Sequence, residues 1–319
     1  MKTLEGLKWA PKWVSQLGCI KGCLVYLDLD VSDAWLFGGT GYAFVLNVHE
    51  EVCPSGPTAW NTERVLELGR NLGYRHDGVY AVRSEGGNFT TQQEHAWEFA
   101  RTAIDRGIPC YAWELEMPEY YVVTGYDGTG YCYSGPGCPD GQGPKPWNEL
   151  GDTPIGVLEM FSIQRSRPAT DEQTAKEALS FALEHATNPG RWIFPQYGAG
   201  LKAYDNWIRS LESGSVDGLG MAYNSSVWAE CRGFAVLFLR EAQQRLDAKL
   251  SQLFDEASKL YQAVFDNLQQ VSQAFPFFGM KTDHMEDPDR RRVALERLRR
   301  ARDAEEQGLE SLRAIEQAL

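Results

Sequence analysis

Basic residues are in short supply in this chain. Lys and Arg number 31 against 44 Asp and Glu, a formal net charge of −13 at pH 7. So little positive charge argues against nucleic acid, whose phosphates would go unneutralised, and against an anionic membrane surface. No run of about 18 apolar residues occurs, so no transmembrane helix is expected. The opening MKTLEGLKWAPKWVSQLG lacks a continuous apolar stretch and a small-residue cleavage site, and predicts no signal peptide. The seven cysteines, at 19, 23, 53, 110, 132, 138 and 231, are odd in number and scattered. That pattern predicts reduced thiols in a cytoplasm rather than a disulfide framework. Internal repeats and low-complexity segments are also missing.

What is present suits a packed protein that handles small molecules, peptides or a basic partner. The 319 residues are 43% hydrophobic and 12% aromatic, enough for two domains or one large one. The first part is rich in glycine, aromatics and short apolar runs. A helix is expected from Cys19 to Leu27, with Gly18 turning the chain into it, and a short one from Ser32 to the Gly38-Gly39 pair. NTERVLELGRNLG has helical spacing and stops at Gly73. YRHDGVYAV alternates as a strand does, and TQQEHAWEFARTAIDRG reads as a helix closed by Gly107. Strands follow in IPCYAWEL, EYYVVTGYD, GYCYSG and IGVLEMFSIQ; the turn Asp127-Gly128-Thr129-Gly130 is a hairpin signal. Helices first and an antiparallel sheet later is an α+β order.

A boundary falls at IQRSRPATDEQ, where Thr170 and Gln173 form a capping box. It divides the chain into domains 1–168 and 169–319. The second is read as helical, at 171–186, 199–212 and from 224 onward. Neither glycine nor proline occurs between Gly233 and Pro276, which predicts one very long helix or two with a kink. The tail RRRVALERLRRARDAEEQGLESLRAIEQAL is another amphipathic helix, folded back as an α-hairpin. Its apolar spacing suits packing within the chain or a homodimer through these C-terminal helices.

The chemistry centres on WVSQLGCIKGCLVYL. Cys19 and Cys23 share a helical face, but Cys132 and Cys138 offer no second pair at zinc spacing, so no metal or other cofactor is expected. DLDVSD lacks the glycine and glutamate of a calcium loop and reads as a helix cap. A thiol at a helix start could be a nucleophile, its thiolate held by unpaired N–H groups, with Gln16 as a second oxyanion donor. A buried, packed thiol is the competing reading. His49 ends the strand that follows this helix and is the histidine best placed to enter the site as a base; an exposed strand end is the competing reading. His76, His95, His185 and His284 read as surface residues. Trp113, Tyr120 and Tyr133 lie in a dense aromatic run, suited either to core packing or to a pocket for a small, cationic ligand beside Glu114, Glu116 and Glu119.

CIKGCLVYL, DVSDAWLFGGTGYAFVL and PEYYVVTGYD together resemble the butirosin biosynthesis protein H N-terminal-like family, itself similar to C39-type, papain-like cysteine peptidases. GLKAYDNWIRSL and CRGFAVLFLREA resemble segments of the helical half of such proteins, so the likeness covers about residues 10 to 245. The resemblance implies a papain-like cysteine proteinase fold followed by an all-helical region. It also implies an acyltransferase or amide-bond enzyme that takes its acyl group from a carrier-protein thioester. On that pattern Cys19 falls on the nucleophile, while Glu119 stands at the histidine position and Gly135-Pro136 at the Asp-Pro. A carboxylate is a poor base toward a thiol and raises its pKa by like-charge repulsion. The alternative implied is a catalytically degenerate pseudoenzyme that binds a small ligand or peptide.

Overall fold

The computed structural model describes residues 1–319, apart from the side chain of Thr282. In chain order the elements are β1 (Lys2–Thr3), α1 (Ser15–Tyr26), α2 (Asp33–Gly39), β2 (Asn47–His49), α3 (Glu63–Leu68), β3 (Tyr74–Val82), α4 (Phe89–Asp105), β4 (Cys110–Trp113) and β5 (Tyr120–Tyr126). They continue as β6 (Gly130–Gly135), β7 (Cys138–Pro146), β8 (Val157–Arg165), α5 (Asp171–Thr187), β9 (Tyr197–Ala199), α6 (Leu201–Ser213), α7 (Gly218–Arg245), α8 (Ser251–Ala274) and α9 (Pro288–Ala318). The class is α+β with a helical C-terminal region. None of these helices is long and apolar enough to cross a membrane, among the described residues.

The chain packs as two units, each built from two pieces: Met1–Val31 with Gly73–Pro168, and Ser32–Leu72 with Ala169–Leu319. Residues 32–72, placed with the first domain by the sequence, pack instead with the helical unit. Aromatic packing explains the difference. On α2, Phe37 stacks on Phe234 with centroids 4.1 Å apart, and Trp35 meets Phe238 at 5.2 Å. Gly38 lies against the Phe238 ring so closely that no Cβ would fit.

In the first unit the sheet runs β3-β8-β4-β5-β6-β7, with β1 on the end of β5, and every pairing is antiparallel. α1 covers one face against β4, β5 and β8. α4 covers the other, where Trp97 stands edge-on to Tyr126 and Tyr131. Two expectations here are corrected. α1 begins at Ser15, so Cys19 sits in its second turn and not at its N-terminus. Gly18 and Gly22 serve as a flat stripe for the preceding chain: a Cβ at Gly18 would lie 2.5 Å from the Ala10 carbonyl oxygen, and one at Gly22 would clash with Lys8. The Ala10 N–H donates to Gly18 O across this contact at 3.2 Å.

In the helical unit, α7, α8 and α9 lie along one another. Their apolar seam is consumed within the chain: Val264, Leu268, Val271, Leu298, Leu312 and Ile315 are fully buried. The glycine- and proline-free stretch is two helices. The break falls at residues 246–250, where the Lys249 N–H donates to Asp247 Oδ1 and Gln243 Nε2 donates to Ser251 O, each at 2.9 Å. Asp247 thus caps the short 3-10 turn over 248–250, and the Leu246 N–H closes α7 on the Ala242 carbonyl, without a helix-breaking residue. At the centre Arg232 is bidentate to Glu305, at 2.8 and 3.0 Å, and its Nη1 donates to the carbonyls of Ala43 and Val45. His185, read as a surface residue, is fully buried on the apolar face of α5 beside Trp60 and Phe181. Burial, and then the charge of Arg232, depress its pKa to about 3, so it is neutral.

Candidate functional site

Alternation along the strands sorts the first unit's side chains between two faces. Cross-strand partners share a face. Tyr80 of β3 pairs with Glu159 of β8, Phe161 of β8 with Tyr111 of β4, and Trp113 of β4 with Tyr120 of β5. All six therefore lie on one face. Their rings form a chain: Trp113–Tyr120 at 5.0 Å, Tyr120–Tyr111 at 5.8 Å and Tyr111–Phe161 at 5.4 Å. Opposite Phe161 the strand carries Gly78, where a Cβ would meet the Phe161 ring.

Glu159 sits in this row. The Tyr120 hydroxyl donates to its Oε2. Among the described residues no Lys, Arg or His forms an ion pair with it. Burial pushes its carboxyl up to about 7, and the phenol bond only partly opposes that rise. Tyr80 feels the same carboxylate: its pKa is raised by burial, then by Glu159 and Glu85. Two buried donors on this face, Trp113 Nε1 and Tyr111 Oη, have no hydrogen-bond partner among the described residues.

Cys19 lies next to this row, beneath α1, and is fully buried. Its pKa is raised well above the ordinary thiol value, first by burial, then by Cys23, then by Glu119. Glu119 does face the helix, and Ser15 meets it there. The Ser15 hydroxyl donates to Glu119 Oε2 and accepts the Tyr120 N–H at 3.0 Å. Ser15 is 3% exposed, so this pair ties the first turn of α1 to the start of β5. Gln16 is equally buried, and its Nε2 lacks a partner among the described residues. His49 belongs to the other unit, at the end of β2, where its Nδ1 accepts the Glu51 N–H at 3.1 Å and its ring lies 5.0 Å from Tyr197.

The structure thus brings together Cys19, Glu119, Gln16, Trp113 and Tyr120. Tyr133 is on the opposite face, its ring 5.4 Å from Tyr121. Glu114 is buried and accepts from Thr153 Oγ1 at 2.8 Å, and Glu116 is exposed. Sequence reasoning missed Ser15, because Gly18 drew the helix start four residues late. It also missed Glu159, although a lone charge in the apolar run VLEMFSI was a visible signal. No cluster of three or more His, Cys, Asp or Glu side chains suited to a metal occurs among the described residues. No family model and no curated protein matches the chain.

Proposed function

We propose that this chain is a catalytically silent relative of papain-like, butirosin biosynthesis protein H-type acyltransferases, and that its first unit binds a small ligand without turning it over. The observation that carries this reading is the state of Cys19. Nucleophilic attack needs a thiolate and a path to it. Cys19 is fully buried, and the groups around it raise its pKa. A thiol with so high a pKa is protonated at neutral pH, whether the substrate is an amide or a carrier-protein thioester. Where a papain-like enzyme needs an imidazole, Glu119 accepts a hydrogen bond from Ser15 and holds the helix to the sheet.

Thiol reactivity tests this. Iodoacetamide labelling of the native protein between pH 6 and 9, mapped by mass spectrometry, is expected to modify the half-buried Cys53 and Cys132 before Cys19. Cys19 is expected to react only once denaturant is added. If it labels first among the seven, with an apparent pKa below 8, the protein is an enzyme and this reading is wrong.

A further inference from the structure

We propose that the aromatic face around Glu159 is the seat of a methylated ammonium group, carried by a small organic cation. This rests on the binding reading above and names its ligand class. Three observations converge. The carboxylate has one protein partner, a phenol, and no cation to balance its charge when ionised. It is flanked by rings: Tyr80 directly across the ladder, Phe161 two residues along, and Tyr120 at its oxygen. Tyr80 is 58% exposed, and Glu159 and Phe161 keep part of their surface, so solutes reach this end of the row.

A methylated ammonium fits that chemistry better than other cations. Ring faces attract a diffuse positive charge, and methyl groups bury apolar surface that a hydrated ammonium or metal ion does not have. The carboxylate supplies the countercharge at short range, in surroundings that screen it less than water does. Trp113 Nε1 and Tyr111 Oη, buried and unpartnered, are donors on the same face for an oxygen carried beside the cation. The titratable groups around the carboxylate are Tyr80 and Glu85 from the β3 side, Tyr111 on β4, Tyr120 on β5, and Cys19 and Cys23 of α1, which face Tyr111; further along β3, Tyr74 and His76 share the face, the His76 ring 6.2 Å from Phe161 and 5.9 Å from Tyr111. None of them forms an ion pair with Glu159 among the described residues, so binding draws on ionised Glu159 and releases a proton near neutrality.

The test is calorimetric titration of the full chain at pH 8 with choline chloride, and with 3,3-dimethylbutan-1-ol, the uncharged carbon analogue. Saturable choline binding is expected, at least tenfold tighter than the alcohol and weakened at least tenfold at pH 5.5. Heats in phosphate and Tris are expected to differ at pH 7 by the released proton. Glu159→Gln is expected to abolish the preference for choline while circular dichroism confirms the fold. Phe161→Leu weakens binding without removing the pH dependence. Equal binding of choline and the alcohol, or no choline binding at all, overturns the proposal. The labelling of Cys19 does not depend on Glu159, so the proposal and the silent-thiol reading can fail separately.

Discussion

Each unit sets a glutamate against its packed side chains, Glu305 wholly buried and Glu159 partly so, and the two are handled in opposite ways. Glu305 is 1% exposed and fully paired: two bonds from Arg232, with the hydroxyls of Tyr204 and Tyr261 at 3.2 and 3.4 Å. Arg232 in turn is neutralised and anchored on two carbonyls, so its pKa is raised despite its burial. Glu159 has a phenol and nothing positive. A complete ion pair ties helices together as structure. An acid without a countercharge leaves the fold less stable when ionised.

Breaking the paired acid should have the largest effect. Arg232→Ala leaves a buried carboxylate uncompensated, and a loss of about 3–5 kcal/mol is expected in urea unfolding. The double change Arg232→Met with Glu305→Leu should recover most of it. If the single change costs less than about 1 kcal/mol, the two acids do not differ as described.

Relieving the unpaired acid should work the other way. The folded pKa of Glu159, about 7, lies above its ordinary 4.5, so the native state holds the proton more tightly than the unfolded chain. Its contribution is fully present below about pH 4.5, fades as pH rises toward 7, and is gone above that. Glu159→Gln removes this dependence. Above pH 7 it should gain up to about 3 kcal/mol over the wild type, since a tenfold change in proton affinity is about 1.4 kcal/mol. A variant whose melting temperature is lower than the wild type at pH 8 would mean that Glu159 is compensated.

Tyr120→Phe should give the smallest effect. The phenol bond favours the ionised acid, so its loss should move the midpoint of the Glu159 titration further upward. The stability change should be about 1 kcal/mol. A pH–stability profile with an unmoved midpoint would remove the phenol from the account.

Much of the fold was legible, for local reasons. The Thr170 hydroxyl accepts the Gln173 N–H at 3.1 Å, as its capping position implied. α4 runs over the segment its spacing indicated and ends just before Gly107. What escaped was non-local. β7 is CPDGQGPKP, a poor strand by propensity, and it forms because β6 offers it an edge. Residues 32–72 carry no mark of which core they will join; that is decided by Phe234 and Phe238, some 200 residues on. At the site, Trp113, Tyr120 and Glu119 were readable as residue types. Their grouping with Glu159 depends on strand register, which pairs β4 with β8 rather than with its sequence neighbour β3.

The interrupted first unit also constrains biosynthesis. Leu17, Ile20 and Leu24 of α1 leave the ribosome early, yet the strands that cover them end only at Arg165. At about 5–20 residues per second, translation leaves that oily helix waiting on the order of ten seconds. During that interval the apolar face of α1 is without the strands that cover it in the folded unit. Residues 32–72, which pack with the other unit, lengthen that wait, because they must be made before β3 and the strands after it.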